Sequence, residues 1–209
     1  MNSHFLELAT TPAVAAAQRR FQGRSQAISS TGGPDRLEEA EKEFIESRDT
    51  FYLSSVTESG WPYVQHRGGP AGFLRVVGAN TIAFADYRGN RQMLTAGNVS
   101  ADDRVAMILM DYPQRSRLKL LGHARIVAAA DDPELAKLVS IPGSPAAERM
   151  VTVDVVAFDW NCPKYITPRY TKAEIETAIA PLRQRVAELE DELKIARRSD
   201  LDRDPKISR

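Results

Sequence analysis

The segment Tyr63–Pro70 is an alternating run that ends on an arginine followed by two glycines. A strand of this kind would deliver Arg67 at its end, beside Gly68 and Gly69, where another group can approach the backbone closely. Arginine donates paired hydrogen bonds to phosphates and carboxylates, and glycine amides can add further donors. The segment predicts an anion site; the alternative is a turn that leaves Arg67 in solvent.

A second segment, Ala85–Gln92, places basic residues beside the predicted start of a helix. A strand runs into a polar turn, and Asn90 is a suitable N-cap for a helix over residues 90–98. The first turn of a helix offers unpaired amides and positive dipole character, and Arg88 and Arg91 would lie next to it. Arginine at a helix start can hold phosphate without a P-loop, so this segment predicts a phosphate site.

A third segment, Arg115–Gly122, carries a basic residue at every second position. In a strand, Arg115, Arg117 and Lys119 would share one face and repel one another unless an anion or water lies between them. A nucleic-acid groove would use such a face, but nearby aromatic residues are few and the whole chain is neutral. One bound phosphate accounts more economically for all three basic segments.

A fourth segment, Trp160–Ile166, follows the last predicted strand. Trp160 and Tyr165 are flat surfaces that could pack on a ring, and Asn161 and Lys164 are polar groups beside them. The residues alone favour the simpler interpretation, in which the strand exit packs against a C-terminal helix.

Charge is distributed unevenly along a chain whose formal net charge is zero. Nine basic and four acidic residues lie between Trp61 and Arg125, a local net charge of +5. A positive middle in a neutral protein suggests a small anionic ligand rather than a long polyanion. A solvated, arginine-rich surface would have the same composition.

Several classes of protein are disfavoured by the sequence. The 209 residues suit one compact domain, or one domain plus an appendage. The single cysteine, Cys162, cannot form an internal disulfide and is expected to be an inert filler. No apolar run reaches the roughly 20 residues of a membrane span, and no secretion signal is recognisable, so we expect a cytoplasmic protein without membrane partners. P-loop, dinucleotide and zinc-ligand spacings are not found in the sequence.

The central region predicts a mainly antiparallel sheet, because short β-rich runs are separated by turns too short for crossover helices. Seven or eight strands in this length indicate a barrel or a sandwich. The predicted strands are 51–56, 61–66, 72–77, 81–85, 105–111, 117–121, 123–128 and 150–158. A helix is predicted to start at Pro34 and end near Arg48, and shorter ones over 14–21 and 132–139.

The C-terminal segment has a different pattern. Thr171 and Glu174 form a capping box, and apolar residues then recur at spacings of four and three across three heptads. This seam consists of Ile175, Ile179, Leu182, Val186, Leu189, Leu193 and Ala196. It favours contact with a partner helix; the alternative is a helix kinked at Pro181 that lies on its own barrel. The predicted organisation is an N-terminal arm (1–33), a barrel domain (34–170), a heptad helix (171–198) and a disordered tail (199–209).

The motifs "PYVQHRGGP", "AFADYRGNRQ", "DYPQRSRLKLLGHARIV" and "WNCPKYI", in this order, resemble the pyridoxamine 5′-phosphate oxidase-like family of FMN-binding split barrels. The resemblance covers about residues 44–166 and is most specific over Ala85–Gln92. It implies a homodimer of six-stranded Greek-key barrels with two FMN sites between subunits. The residues that it assigns to the cofactor are Arg67, Gly68, Asp86, Tyr87, Arg88, Arg91, Gln92, Arg117, Lys119 and, approaching from the neighbouring subunit, Trp160, Asn161 and Lys164.

The implied function is FMN-dependent oxidation–reduction, with hydride passing to or from flavin N5 and a small molecule or NAD(P)H as the other reactant. The C-terminus lacks the Arg-Leu-x-Pro ending and the Arg-x-His arrangement of authentic pyridoxamine 5′-phosphate oxidases. Pyridoxamine phosphate is therefore not the expected substrate, and no catalytic acid or base is assigned. The alternative is a flavin-binding sensor without catalysis that signals through its C-terminal helix.

Overall fold

The computed structural model describes residues 4–29, 32–89, 91–160 and 163–203. They form two compact units, residues up to Ile166 and residues from Thr167 onward. The first unit contains seven strands and five helices among its described residues, and the second contains one long helix. No helix in these ranges is both long and apolar enough to cross a membrane.

All seven strands belong to one antiparallel sheet, as the sequence predicts. Its spatial order is β2-β1-β5-β6-β7-β4-β3, so the count exceeds by one the six strands of the resemblance. The strands are β1 (Thr50–Val56), β2 (Pro62–Gly68), β3 (Leu74–Val76), β4 (Thr81–Asp86), β5 (Arg104–Asp111), β6 (Ser116–Ala128) and β7 (Arg149–Trp160). The fold is a mainly antiparallel split barrel with flanking helices and a long C-terminal helix.

The prediction of two strands around Gly122 is wrong, because β6 runs through this residue without a break. The pairing of β6 with β7 instead shifts register between Leu121 and Gly122. A Cβ atom on Gly122 would lie 2.5 Å from the carbonyl oxygen of Asp154. The glycine therefore permits close contact between two strands rather than a turn.

The core lies on the inner face of the sheet. Fully buried side chains alternate along the strands with outward-facing ones, as for Phe51 and Leu53 on β1 and Leu118 and Leu120 on β6. Phe51 packs edge-to-face on Phe84, with ring centroids 5.1 Å apart. This packing fixes which strand residues point inward and which outward.

The helices differ from prediction mainly in where they begin. They are α1 (His4–Ala9), α2 (Pro12–Gln22), α3 (Glu39–Glu46), α4 (Leu94–Ala101), α5 (Pro133–Val139) and α6 (Lys172–Arg203). The sequence predicts α2 and α5 but misses α1.

Helix α3 does not start at Pro34, because residues 35 and 37, before the helix, are hydrogen-bonded to β7 and to the turn between β3 and β4. The amide of Asp35 donates to Val156 O, and that of Leu37 donates to Asn80 Oδ1. The helix starts instead where Glu41 accepts a hydrogen bond from the amide of Glu38 in a capping box.

Helix α6 begins with the predicted capping box, in which Glu174 accepts from the amide of Thr171 and its own amide donates to Thr171 Oγ1. It runs through Pro181 and reaches Arg203, beyond the predicted end at residue 198. The assignment of residues 199–203 to a disordered tail is therefore wrong, and residues 204–209 lie outside the described part of the chain.

Candidate functional site

A cavity of about 230 Å³ lies at the end of the sheet where β2 and β4 finish and β7 begins. Residues of β2, the loop after β4, the first turn of α4 and the start of β7 line it. The cavity brings together five of the predicted site residues, Arg67, Asp86, Tyr87, Arg91 and Gln92. The first two basic segments therefore meet in space, although about 20 residues separate them along the chain.

Asp86 sits between two arginines at the base of this cavity. Its Oδ1 accepts from Arg67 Nη1 at 2.8 Å, and its Oδ2 accepts from Arg149 Nε at 2.7 Å. All three side chains are largely buried, with 14–18% of their surface exposed. The carboxylate allows the two guanidinium groups to lie close together despite the repulsion between their positive charges.

The Nε atom of Arg67 is buried and has no hydrogen-bond partner among the described residues. An unpaired buried donor is costly, and such groups are uncommon in folded proteins. Together with Arg91 and Arg149, and with Asp86 as the one carboxylate in the described lining, Arg67 gives the cavity a formal charge of +2. The arrangement suits a small anion.

Arg149 is a site residue that the sequence analysis misses. It opens β7 and is directly opposite Asp86 in the register of β4 with β7. The predicted strand starts one residue later, at Met150, and the region of excess positive charge in the sequence ends at Arg125. The position of Arg149 opposite Asp86 can be recognised only once the pairing of β4 with β7 is known.

Helix α4 supports the cavity through two polar contacts to the sheet. Thr95 Oγ1 donates to Gln65 Oε1 at 2.7 Å, and Asn98 Nδ2 donates to Ser55 Oγ at 2.9 Å. Gln65 and Thr95 both line the cavity, and neither is a predicted site residue.

The prediction that this helix begins at Asn90 is wrong, since α4 begins at Leu94. Arg91 and Met93 have φ angles of 61° and 55°, in the left-handed region that a right-handed helix cannot accommodate. Asn90 itself lies outside the described residues. The first turn of α4 still lines the cavity, while Arg88 is exposed and is not part of the described lining.

The two glycines after Arg67 are explained by contacts within the chain. A Cβ atom on Gly69 would lie 2.7 Å from the ring of Phe73, and one on Gly68 would lie 3.3 Å from Asp49 O. The Gly69 amide donates to Asp49 O, so the expectation that it adds a donor for an anion is wrong. Gly68 is not part of the described cavity lining.

The third basic segment lies on the other face of the sheet. Cross-strand neighbours in a sheet point to the same face, so two rows can be followed through the pairings of β2, β1, β5 and β6. One row is Arg67, Phe51, Leu109 and Leu118, and the other is His66, Tyr52, Ile108 and Lys119. Within one chain, the cavity and the Arg117/Lys119 face are therefore on opposite sides, and one phosphate held by a single chain cannot contact all three segments.

Contacts within the chain reduce the number of cations that share this face of the strand. Arg115 precedes β6 with a φ angle of 53°, so it does not share the strand face as predicted. Lys119 Nζ lies 2.7 Å from Asp159 Oδ2 and 4.6 Å from the ring centroid of Phe5. Arg117 is half-buried. The expected repulsion among three cations is thus limited to Arg117 and Lys119, and the ion pair with Asp159 weakens it.

The fourth segment starts with a tryptophan that packs on α3. Trp160 Nε1 donates to Glu41 Oε1 at 2.8 Å, and its ring meets that of Phe44 edge-to-face at 4.7 Å. Lys164 is exposed, with Nζ 5.2 Å from the ring centroid of Tyr165. Asn161 and Cys162 lie outside the described residues.

The clearest electrostatic shift on a carboxyl group lies away from the cavity. Hydrogen bonds from the guanidinium group and the amide of Arg104 lower the pKa of half-buried Asp102 to about 2. This pair follows the end of α4 and does not bear on the chemistry of the cavity.

Much of the barrel domain is similar to a known protein family. The family model described as pyridoxamine 5′-phosphate oxidase matches residues 37–158. Two structures of HupZ from Group A Streptococcus are similar to this chain with a TM-score of 0.50 and 14% and 12% identity, covering 60% and 64% of this chain and 99% of theirs. An FMN-binding protein from Syntrophomonas wolfei subsp. wolfei has a TM-score of 0.40 and 11% identity, covering 58% of this chain and 86% of its own. No curated protein matches the sequence.

Proposed function

The chain belongs to the pyridoxamine 5′-phosphate oxidase family, and from this premise we propose that it is an FMN-binding flavoprotein that catalyses oxidation–reduction. The observation that carries the proposal is the buried, unpartnered Nε of Arg67 in a cavity of formal charge +2. The phosphomonoester of FMN carries about −1.5 to −2 at neutral pH, so the charges match.

The cavity residues would act by binding and orienting the phosphate end of the cofactor. Arg67 offers Nε as a fixed donor because Asp86 already holds its Nη1. Arg91 adds positive charge, and the first turn of α4 lies at the cavity wall, where free amides favour an anion. Bound FMN would supply the redox chemistry, and the protein would supply position and charge.

The small volume of the cavity supports a site that is completed by a second subunit. Small-molecule pockets usually measure about 300–1,000 Å³, and the cavity of one chain is smaller than this range. In the proposed homodimer, Arg117 and Lys119 on the outer face, with Gly68, Arg88 and the Trp160–Lys164 segment, would contribute to sites between subunits. The other reactant would be a small molecule or NAD(P)H.

The test is flavin binding by the full chain, starting from its absorbance spectrum and followed by removal of any chromophore and titration. We expect one FMN per chain, and riboflavin, which lacks the phosphate, should bind at least about tenfold more weakly. Arg67→Lys should lower FMN affinity by a similar factor and leave riboflavin affinity unchanged. Lysine keeps the positive charge but cannot donate the paired hydrogen bonds that a guanidinium group makes to a phosphate. A colourless protein that does not bind added FMN would overturn the proposal.

A matched control is Arg125→Lys, which changes an exposed arginine paired with Asp154 outside the cavity. FMN affinity should not change in this variant. Steady turnover of NAD(P)H or an oxidisable substrate by the FMN-loaded protein would separate an enzyme from a flavin-binding module without catalysis.

A further inference from the structure

The apolar seam of α6 is exposed to solvent in the single chain. Five of its large side chains, Ile175, Leu182, Val186, Leu189 and Leu193, have between 46% and 67% of their surface exposed. Together with half-buried Ile179, they occupy heptad positions a (Ile179, Val186 and Leu193) and d (Ile175, Leu182 and Leu189). A regular row of exposed aliphatic side chains on one helix face indicates an interaction surface.

Charged residues beside the seam are arranged in alternating blocks. Position g, before each a residue, is occupied in turn by Ala178, Arg185 and Glu192. Position e, after each d residue, is occupied in turn by Glu176, Arg183, Glu190 and Arg197. Within the chain, Arg185 Nη1 bonds to Glu188 at 3.1 Å and to Glu192 at 3.4 Å, so these side chains already extend along the helix surface next to the seam.

We propose that α6 pairs with α6 of a second copy of this chain as a parallel, in-register, two-stranded coiled coil. In such a pair, each g residue faces the e residue of the next heptad on the other helix. Arg185 then faces the partner's Glu190, and Glu192 faces the partner's Arg197. Two-fold symmetry doubles both pairs, so the dimer has four attractive flanking contacts, and none of the residues described at these positions brings like charges together.

The seam residues bear on the number of strands in the coil. In a parallel coil, isoleucine and valine at a with leucine at d, as at Ile179, Val186, Leu182 and Leu189, favour two strands over three or four. An antiparallel arrangement with a suitable shift would also oppose unlike charges, placing Arg185 near the partner's Glu192, and a cross-link between equivalent residues distinguishes the two. Pro181 is at position c, on the side of the helix away from the seam, so its ring does not interrupt the interface.

Cross-linking in the full chain tests the parallel register directly. In a Cys162→Ser background, Leu182→Cys should form an interchain disulfide under mild oxidation, because equivalent d residues face each other only in a parallel pair. Leu189→Cys provides a second d position, and Gln184→Cys on the outer surface is the matched control. Lack of a cross-link at both d positions, or equal yields at Gln184→Cys, would overturn the proposal.

Charge exchange separates the parallel from the antiparallel pairing. With Leu182→Cys as the reporter, Arg185→Glu should lower the equilibrium disulfide yield roughly fivefold, since it opposes two carboxylates at both symmetric positions. Adding Glu190→Arg in the same chain should restore the yield in the parallel pair. A yield that Glu190→Arg does not restore would contradict the proposal, because in the antiparallel arrangement the second change opposes the new arginine to Arg183. This readout needs no flavin and is independent of the proposed cofactor.

Discussion

At the scale of single residues, the charge of the cavity depends on the ion pairs that Asp86 forms with two arginines. One carboxylate bridges Arg67 and Arg149, and all three side chains are mostly removed from water. The pairing keeps two positive groups close together without neutralising both of them. The remaining positive charge is then available to an anionic ligand.

Asp86→Asn is expected to lower the free energy of unfolding by about 2 kcal/mol, because it leaves two partly buried guanidinium groups without their carboxylate. Phosphate should restore part of this loss, since an anion that binds only the folded state stabilises it by linkage. Urea unfolding with and without phosphate, at constant ionic strength, measures both effects.

The control for this variant is Asp159→Asn, which breaks the single, more exposed pair with Lys119. It should cost less than about 1 kcal/mol, and phosphate should stabilise it no more than it stabilises the unaltered protein, since the cavity is unchanged. Equal responses of the two variants to phosphate would mean that Asp86 has no special relation to an anion site.

At the scale of elements, α4 is attached to the sheet by a buried polar contact. Asn98 and Ser55 are 7% and 2% exposed, and the bond between them fixes the helix whose first turn lines the cavity. Asn98→Ala should lower the free energy of unfolding by about 1–3 kcal/mol, because Ser55 keeps a buried hydroxyl without its partner. Denaturant unfolding measures this loss.

A neighbouring serine on the same helix provides the comparison. Ser100 is exposed, and its hydroxyl donates to the local carbonyl of Gly97 and, among the residues that the structure describes, to no other group. Ser100→Ala should therefore change the stability by no more than about 0.5 kcal/mol. Similar losses in both variants would show that the contact to Ser55 does not anchor the helix.

Local signals in the sequence predict most strands, because turn residues separate them. Gly60, with a φ angle of 87°, closes the turn between β1 and β2 where Glu58-Ser59-Gly60 predicts it. The start of α4 is not predictable in this way, because the left-handed conformations of Arg91 and Met93 carry no side-chain signature. The role of Arg149 and the separation of Arg67 from Lys119 depend on strand register, which non-local packing determines.

At the scale of the whole molecule, the basic residues of one chain serve two faces. Arg67 lines the inner cavity, while Lys119 lies on the outer row of the sheet. A homodimer with sites between subunits would use both sets at once, each chain contributing its cavity to one site and its outer face to the other. On this proposal, Arg117→Ala with Lys119→Ala should release FMN and leave a folded dimer, whereas retained stoichiometric FMN would contradict it.

Mixed dimers provide the sharpest test of a shared site. One chain carries Arg67→Ala and the other carries Arg117→Ala with Lys119→Ala, and neither should bind FMN when refolded alone. After refolding in equal amounts, random assortment makes about half of the dimers mixed, and each mixed dimer has one site with every residue intact. Flavin content should therefore recover to about one quarter of that of the unaltered protein. If all of these residues acted within one chain, every site would still lack one set, and mixing would restore nothing.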